Sequence, residues 1–331
     1  MIQYIENKEI DWKNVNYYLE MTKNSNQWSN GGPISKALES WIENHLQLKN
    51  KKVIAVNSGT SALHALVNMH NYLTNKKLKW ITSAFSFPCC IQGPLMEATI
   101  VDCDEQGRLP LNNYADYDGV IIHNPFGTCD NDYFDKINKC YNDKLIIVDS
   151  CTAIQSVRGI QDEFVSLHHT KPWGFGEGGF AVVTPENEEL FRSICNFGLI
   201  GNYMNLSKFS NNYKISETSC AFVLQRLIQI NEIKKNQNEQ YNRIVIIANN
   251  LNIKVMNVCT GIPVCVSLVF ENRVNLAGIE EVKLQKYYKP LANTKNARSL
   301  YDRIVCFPCH REISKLTDVQ IENILFKLKV N

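Results

Sequence analysis

Apolar, β-branched runs alternate with helical patterns over the first two-thirds of the chain. Lys52–Val56 reads as a strand. Residues 61–73 read as a helix that sets Leu63, Leu66, Val67 and His70 on one face. A short strand near 80–82, a helix start near Pro88 and a strand around 99–102 follow. Further strands are expected at Gly119–His123, Leu145–Asp149 and 180–184. Strands that alternate with helices imply an α/β fold with a mostly parallel sheet covered on both faces. One long amphipathic segment, about 217–250, carries Val223, Leu227, Ile230 and Ile233 at helical spacing. Beyond it the pattern changes to shorter strands and a final helix at 317–329. That change divides the chain into a large domain, 1–225, and a smaller C-terminal α+β domain, 226–331. No internal repeat interrupts this order.

Composition narrows the class. The 331 residues are 44% hydrophobic and 21% charged, enough for one large domain and a smaller one. Lys+Arg 35 against Asp+Glu 33 leaves a net charge of +2, with no electrostatic footprint for nucleic acid or an anionic membrane. The first residues are charged and lack an apolar core, so no signal peptide is expected. The longest apolar runs are too short to span a bilayer. The chain therefore reads as cytoplasmic, and its 12 cysteines as reduced thiols. Cys306-Phe-Pro-Cys309-His310 fits a c-type haem attachment pattern and half of a zinc site. A second ligand pair is missing, so a buried strand end is preferred and no metal is expected.

Three segments carry candidate chemistry. Asn57-Ser-Gly-Thr-Ser-Ala-Leu63 follows a strand and opens a helix. Free N–H groups there, with Gly59 allowing close approach and Thr60 and Ser61 adding donors, suit a phosphate; plain helix capping explains the same residues. Asp149 ends an apolar strand at the edge of the sheet where α/β proteins bind ligands, though a strand-ending Asp also caps turns. Lys171 lies in Ser166-Leu-His-His-Thr-Lys171-Pro-Trp-Gly-Phe-Gly-Glu-Gly-Gly179, among small, aromatic and histidine residues, which sets it apart from a solvated surface lysine. Gly174, Gly176 and Gly179 fit a dinucleotide fingerprint in spacing, but they precede a strand where that fingerprint needs a helix.

Phosphate turn, aspartate and lysine motif, in this order, resemble the DegT/DnrJ/EryC1/StrS family of nucleotide-sugar aminotransferases nearly end to end. Residues 27–39 resemble its N-terminal substrate segment, and Phe85-Ser-Phe87-Pro88 its Thr-Phe motif. Ser210-Asn-Asn-Tyr-Lys-Ile-Ser-Glu217 resembles its Gly-Tyr-Asn-Tyr-Arg-Met-Ser-Glu segment. Tyr288-Lys-Pro-Leu291 and 303–314 resemble its C-terminal motifs. The resemblance implies fold type I of the pyridoxal-phosphate (PLP) transferases, similar to aspartate aminotransferase. It implies that Lys171 holds PLP as a Schiff base and shuttles the proton, and that Asp149 pairs with the pyridine nitrogen. It further implies that Phe87 stacks on the ring and that Gly59, Thr60 and Ser166, with Ser61 beside them, hold the phosphate. Thr152 stands where the family often has Gln or His, with Gln155 nearby. Trp28, His168, Glu177 and Tyr288 are candidate substrate contacts. Asn212 corresponds to a residue that reaches the neighbouring subunit's cofactor, which implies a homodimer with shared sites; its alternative is a cap for the helix near Ser216. Lys214 and Asn211 depart from the family pattern, and the chain is shorter than usual between 251 and 287.

The function so implied is amino transfer, with L-glutamate as donor, to a nucleotide-linked keto-deoxysugar. Glu177, in Gly-Glu-Gly-Gly, leans towards C4. A PLP-dependent sugar dehydratase and a PLP- or sugar-binding regulator without turnover are the alternatives. Lys171, which the dehydratase branch replaces by histidine, argues against the first, and the intact residue set against the second.

Overall fold

The computed structural model describes residues 1–112, 114–201, 206–256 and 261–330. Part of the shortened segment, 257–260, lies outside the described residues, as does Cys259. Seven strands form the main sheet: β1 (Lys52–Val56), β2 (Trp80–Ser83), β3 (Thr99–Val101), β4 (Gly119–His123), β5 (Leu145–Asp149), β6 (Asp162–Ser166) and β7 (Gly179–Val183). Their order is β1-β7-β6-β5-β4-β2-β3. Only β7 runs against its neighbours; the other pairs are parallel. Six carboxyl ends therefore face one edge, where ligands bind in such sheets.

Nine helices are described: α1 (Trp12–Ser25), α2 (Pro33–His45), α3 (Gly59–Thr74), α4 (Asn131–Cys140), α5 (Glu188–Cys195), α6 (Glu217–Leu227), α7 (Ile230–Asn250), α8 (Lys295–Arg303) and α9 (Asp318–Val330). Alternation along β1 shows how the sheet is covered. Ile54 and Val56 pack with Leu63 and Leu66 of α3 and Phe191 of α5. Val53 and Ala55 face the other way, onto Ile34 and Leu38 of α2 and Leu224 of α6. Period two in the strand and period 3.6 in the helices thus meet in two buried layers. Leu63, Leu66 and Val67 are fully buried, while His70, from the same predicted face, pairs with Asp162 at 2.8 Å.

Two expectations are corrected. The apolar segment over 217–250 is two helices, parted at Ile228 and Gln229. Its apolar positions continue across the break because α6 and the start of α7 share the core beneath the main sheet. Tyr241, Ile244 and Ala248 of α7 pack instead against the smaller sheet; with no Gly or Pro at the junction, periodicity alone could not place it. Near Pro88 there is only a short 3-10 turn, Pro88–Ile91. The second sheet, β8 (Lys254–Val255), β9 (Val266–Val269) and β10 (Ile304–Phe307), has the order β10-β9-β8 and is covered by α7 and α9. Cys306 lies in β10, Cys309 Sγ donates to Gln237 Oε1 at 3.1 Å, and His310 Nε2 bonds to the Gln3 carbonyl. Among the described residues the cysteines are free thiols, and no helix is long and apolar enough to cross a membrane.

Candidate active site

The chemistry-bearing residues converge because they end neighbouring strands. His123 ends β4 and Asp149 ends β5, and the two are register partners. Ser166 ends β6 opposite Gly179, the first residue of β7. The turn after β1 feeds α3, whose N-cap Ser58 accepts a hydrogen bond from the Ser61 N–H. A helix start leaves its first N–H groups without intrahelical partners, here those of Gly59 and Thr60. Gly179 permits this arrangement: a Cβ there would lie 2.5 Å from Gly59 N and 2.4 Å from the Ser58 carbonyl carbon.

These ends surround a cavity of about 330 Å³, within the range of small-molecule sites. Its inner end is closed. His123 Nδ1 lies 3.0 Å from Asp149 Oδ2, and Cys151 N–H donates to Asp149 Oδ1 at 2.9 Å. Burial alone would raise the Asp149 carboxyl; His123 and the Cys151 N–H outweigh it and hold the group below its ordinary value. The Tyr288 ring meets His123 edge-on at 4.6 Å and stacks on Phe126 at 5.4 Å. His123 Nε2 is buried with no partner among the described residues.

Lys171 approaches from the loop between β6 and β7. That loop folds tightly: Lys171 N–H donates to the His168 carbonyl and Gly174 N–H to the Lys171 carbonyl. Trp173, fully buried, ties its indole N–H to the Ser166 carbonyl at 3.0 Å. A Cβ on Gly174 would fall 2.2 Å from the His168 carbonyl oxygen, so only glycine fits there. Lys171 lines the cavity, and its Nζ has no hydrogen bond or ion pair among the described residues. At the outer rim, Thr170 N–H donates to His168 Nδ1 at 3.2 Å, which leaves Nε2 to carry the proton towards Glu177 Oε1, 3.4 Å away.

Of the residues expected from the sequence, the cavity gathers Gly59, Thr60, Phe87, Asp149, Thr152, Ser166, His168, Lys171, Glu177 and Tyr288. Several sit differently from their expected roles. Tyr288, expected at the substrate end, lies against His123 at the closed end. The Thr152 hydroxyl is engaged by the neighbouring turn, donating to the Asn124 carbonyl and accepting from Phe126 N–H. Ser61 does not line the cavity, since its hydroxyl turns to Asn57 Oδ1, and Ser58 lines it instead. Gln155 accepts from Ile262 N–H and is absent from the wall. Trp28 and Asn212 are exposed and also outside it. The cap of α6 is Ser216, which accepts from Ser219 N–H, so the capping alternative for Asn212 is excluded. Sequence reading missed His123, Tyr4, Cys151 and Tyr287, which also line the cavity. For His123 a local signal existed, a polar residue closing an apolar strand as Asp149 does.

The donor set fits PLP. A buried carboxylate whose one ion-pair partner among the described residues is a histidine suits a ring N–H, the open helix start suits a phosphate, and an unpartnered amine suits a carbonyl. Fold and site define a PLP-dependent aminotransferase of fold type I. The family model for the DegT/DnrJ/EryC1/StrS aminotransferase family matches residues 9–104 and 127–258, and the chain belongs to that family. The dTDP-4-amino-4,6-dideoxy-D-glucose transaminase of Shigella dysenteriae is 23% identical over 345 residues, covering 90% of each chain. A PLP-dependent aminotransferase structure from Bacillus cereus superposes with a TM-score of 0.80 at 16% identity over 99% of each chain. Helicobacter pylori PseC, an aminotransferase involved in the biosynthesis of pseudoaminic acid, gives 0.78 at 17% identity, over 99% of this chain and 98% of that one.

Proposed function

We propose that this enzyme moves an amino group from L-glutamate to C4 of a nucleotide-linked keto-deoxysugar. The carrying observation is that Lys171, whose Nζ has no hydrogen bond or ion pair among the described residues, lines a cavity closed by the buried His123–Asp149 pair, in a chain of this aminotransferase family. The sugar class is supported by the Shigella dysenteriae relative, whose name specifies a dTDP-linked 4-amino sugar, and the C4 position by that name and Glu177.

In this reading Gly59, Thr60, Ser58 and Ser166 hold the phosphate, Asp149 takes the ring N–H, Phe87 lies against the ring and Lys171 holds the carbonyl carbon. Bound PLP supplies an electrophilic carbonyl for amines and a protonated ring that takes up electron density. Lys171 Nζ accepts a proton from the donor's α-carbon and returns one to the sugar carbon, as a positioned general base and acid. Asp149 stays ionised because His123 and Cys151 N–H offset its burial, and so keeps a proton on the ring nitrogen facing it. Trp28, His168 and Glu177 are assigned to the sugar nucleotide, and Tyr288 to the inner wall. Residues 1–225 form the cofactor domain and 226–331 the smaller one, in a cytoplasmic enzyme. Incubating the PLP form with glutamate and a panel of nucleotide 4-keto-6-deoxysugars, with products identified by mass, tests the proposal. An aminated sugar and 2-oxoglutarate are expected; a deoxygenated sugar without nitrogen points to the dehydratase.

The active unit in this proposal is a homodimer in which Asn212 reaches the partner's phosphate. Asn212 is exposed, its side chain has no hydrogen bond among the described residues, and its carbonyl accepts from Asn57 beside the phosphate turn. Inactive Lys171→Ala and Asn212→Ala chains, mixed under proven exchange, should regain part of the activity, because one site per heterodimer keeps both residues. No recovery would remove Asn212 from the site.

A further inference from the structure

Lys8 is a buried lysine with an unusual set of partners. Its residue is 8% exposed, and its Nζ donates to the carbonyls of His169 at 2.6 Å, Lys171 at 2.5 Å and Gly174 at 2.5 Å. Lysines are rarely buried this far without a paired charge, and here no carboxylate among the described residues is bonded to it. Three carbonyls require three N–H donors on one atom, which an ammonium has and a neutral amine lacks. The fourth carbonyl of this stretch, Pro172, accepts from Arg226 Nε of α6 at 2.9 Å. Arg226 in turn pairs with Glu6, two residues before Lys8, and Glu6 also meets Arg311. The arm is fixed at its start by Ile2, which exchanges backbone hydrogen bonds with Glu281 and Lys283 beside the small sheet. Burial, with Arg226 nearby, draws the Lys8 pKa down to about 7 against the pull of Glu6, so the site carries a real electrostatic cost that the carbonyl dipoles must offset.

We propose that Lys8 is a positioning residue, whose ammonium gathers the carbonyls of 169, 171 and 174 and so sets the height and direction at which the loop presents Lys171 to the cavity. The proposal rests on the reading of Lys171 as the cofactor lysine. The loop has no helix or strand of its own between β6 and β7, and its turn is tight enough to require Gly174. Four of its carbonyls point away from the cavity, towards the arm and α6. Without Lys8 the His169 and Gly174 carbonyls would need water in a buried space, the Lys171 carbonyl would keep only the Gly174 N–H, and the path of residues 168–174 would relax. The clamp thereby couples residues 161 to 166 positions apart, joining the arm beside the small sheet to the edge of the large one.

The test uses full-length holoenzyme carrying Lys8→Met, which keeps an unbranched stem and removes all three donors. Hydrogen–deuterium exchange across 167–176 should quicken about tenfold or more, since a local opening loses its main restraint. The pH at which the visible absorbance of the bound cofactor titrates should move by about half a unit, reflecting a displaced lysine. kcat should fall about ten- to hundredfold with KM within about threefold, the pattern expected of a misplaced reacting group. Glu9→Gln, which cuts only the exposed tie of the same arm to Arg311, should leave all three readouts at wild-type values. If Lys8→Met does not fold, Lys8→Arg decides by exchange and absorbance, because a flat guanidinium does not converge on three carbonyls from one atom. Wild-type exchange over 167–176 with an unmoved absorbance titration, even at a lowered melting temperature, overturns the proposal and leaves Lys8 as an anchor of the arm. Borohydride trapping on the wild-type chain separates the two failures: a label on a lysine other than Lys171 overturns the role of Lys171 itself, and the clamp's purpose with it.

Discussion

The two ends of the cavity differ in how far one chain completes them. At the inner end Asp149 and His123 are each 1% exposed and Tyr288 is 7% exposed, and both carboxylate oxygens of Asp149 are hydrogen-bonded. At the outer end Phe87 is 51% exposed, and the His168–Glu177 pair stands in solvent at 3.4 Å. A charge is held with fixed strength only where water is excluded, so the inner end is built from strand termini locked in register. Substrates must enter and products leave at the outer end, and contacts there are left open for them. On the proposed reading, interactions that serve the chemistry are made before any ligand arrives, while those that choose the ligand are not.

Substitutions at the two ends should therefore differ in size and in kind. Lys171→Ala should have the largest effect, lowering turnover by at least about 10³-fold and removing the yellow absorbance from a folded protein. An adduct still reducible by borohydride in this variant would mean that another lysine holds the cofactor. Asp149→Asn should retain bound PLP yet lose about 4 kcal/mol of transition-state stabilisation, or about a thousandfold, because an amide does not hold the ring nitrogen protonated. Near-normal transamination by that variant would remove Asp149 from the site.

His123→Phe should cost less, about tenfold to a hundredfold, and its signature is in the pH profile. His123 is the largest of the effects that hold the Asp149 carboxyl low against burial. Without it burial dominates and the carboxyl pKa rises, so activity should fall away at a higher pH on the acid side than in the wild type. An acid limb that does not move would show that Asp149 is held ionised by something else. The smallest effect belongs to the outer end. Glu177→Gln should raise KM for the sugar nucleotide by up to about tenfold with kcat within about twofold, and should leave the melting temperature unchanged, since exposed pairs contribute about 0–1 kcal/mol. A loss in kcat as large as that of His123→Phe would erase the distinction between the ends.

Much of the site was legible because the informative patterns are local. A strand followed by small residues and a helix marks Gly59 and Thr60, an acid closing an apolar run marks Asp149, and a lysine before four glycines marks Lys171. Each depends on residues within a few positions, where chain geometry is fixed by propensity and sterics. The same locality explains the failures. Tyr288 and Ser61 belong to motifs that could be located along the chain, but the direction of a side chain follows from its packing. Tyr288 turns to His123, 165 positions earlier, and Ser61 turns back to Asn57.

By itself, then, the sequence determined the alternation of strands and helices, the edge of the sheet at which the cavity opens and two of the residues, Lys171 and Asp149, that line it. Tertiary structure alone decided which groups meet there: His123 on Asp149 across 26 positions, the aromatic wall of Phe126 and Tyr288, and Lys8 beneath the lysine loop. The reason is entropic and geometric. Contacts between distant residues form only when loop closure is offset by the burial of whole layers, and periodicity within a single segment carries no record of which layers those are.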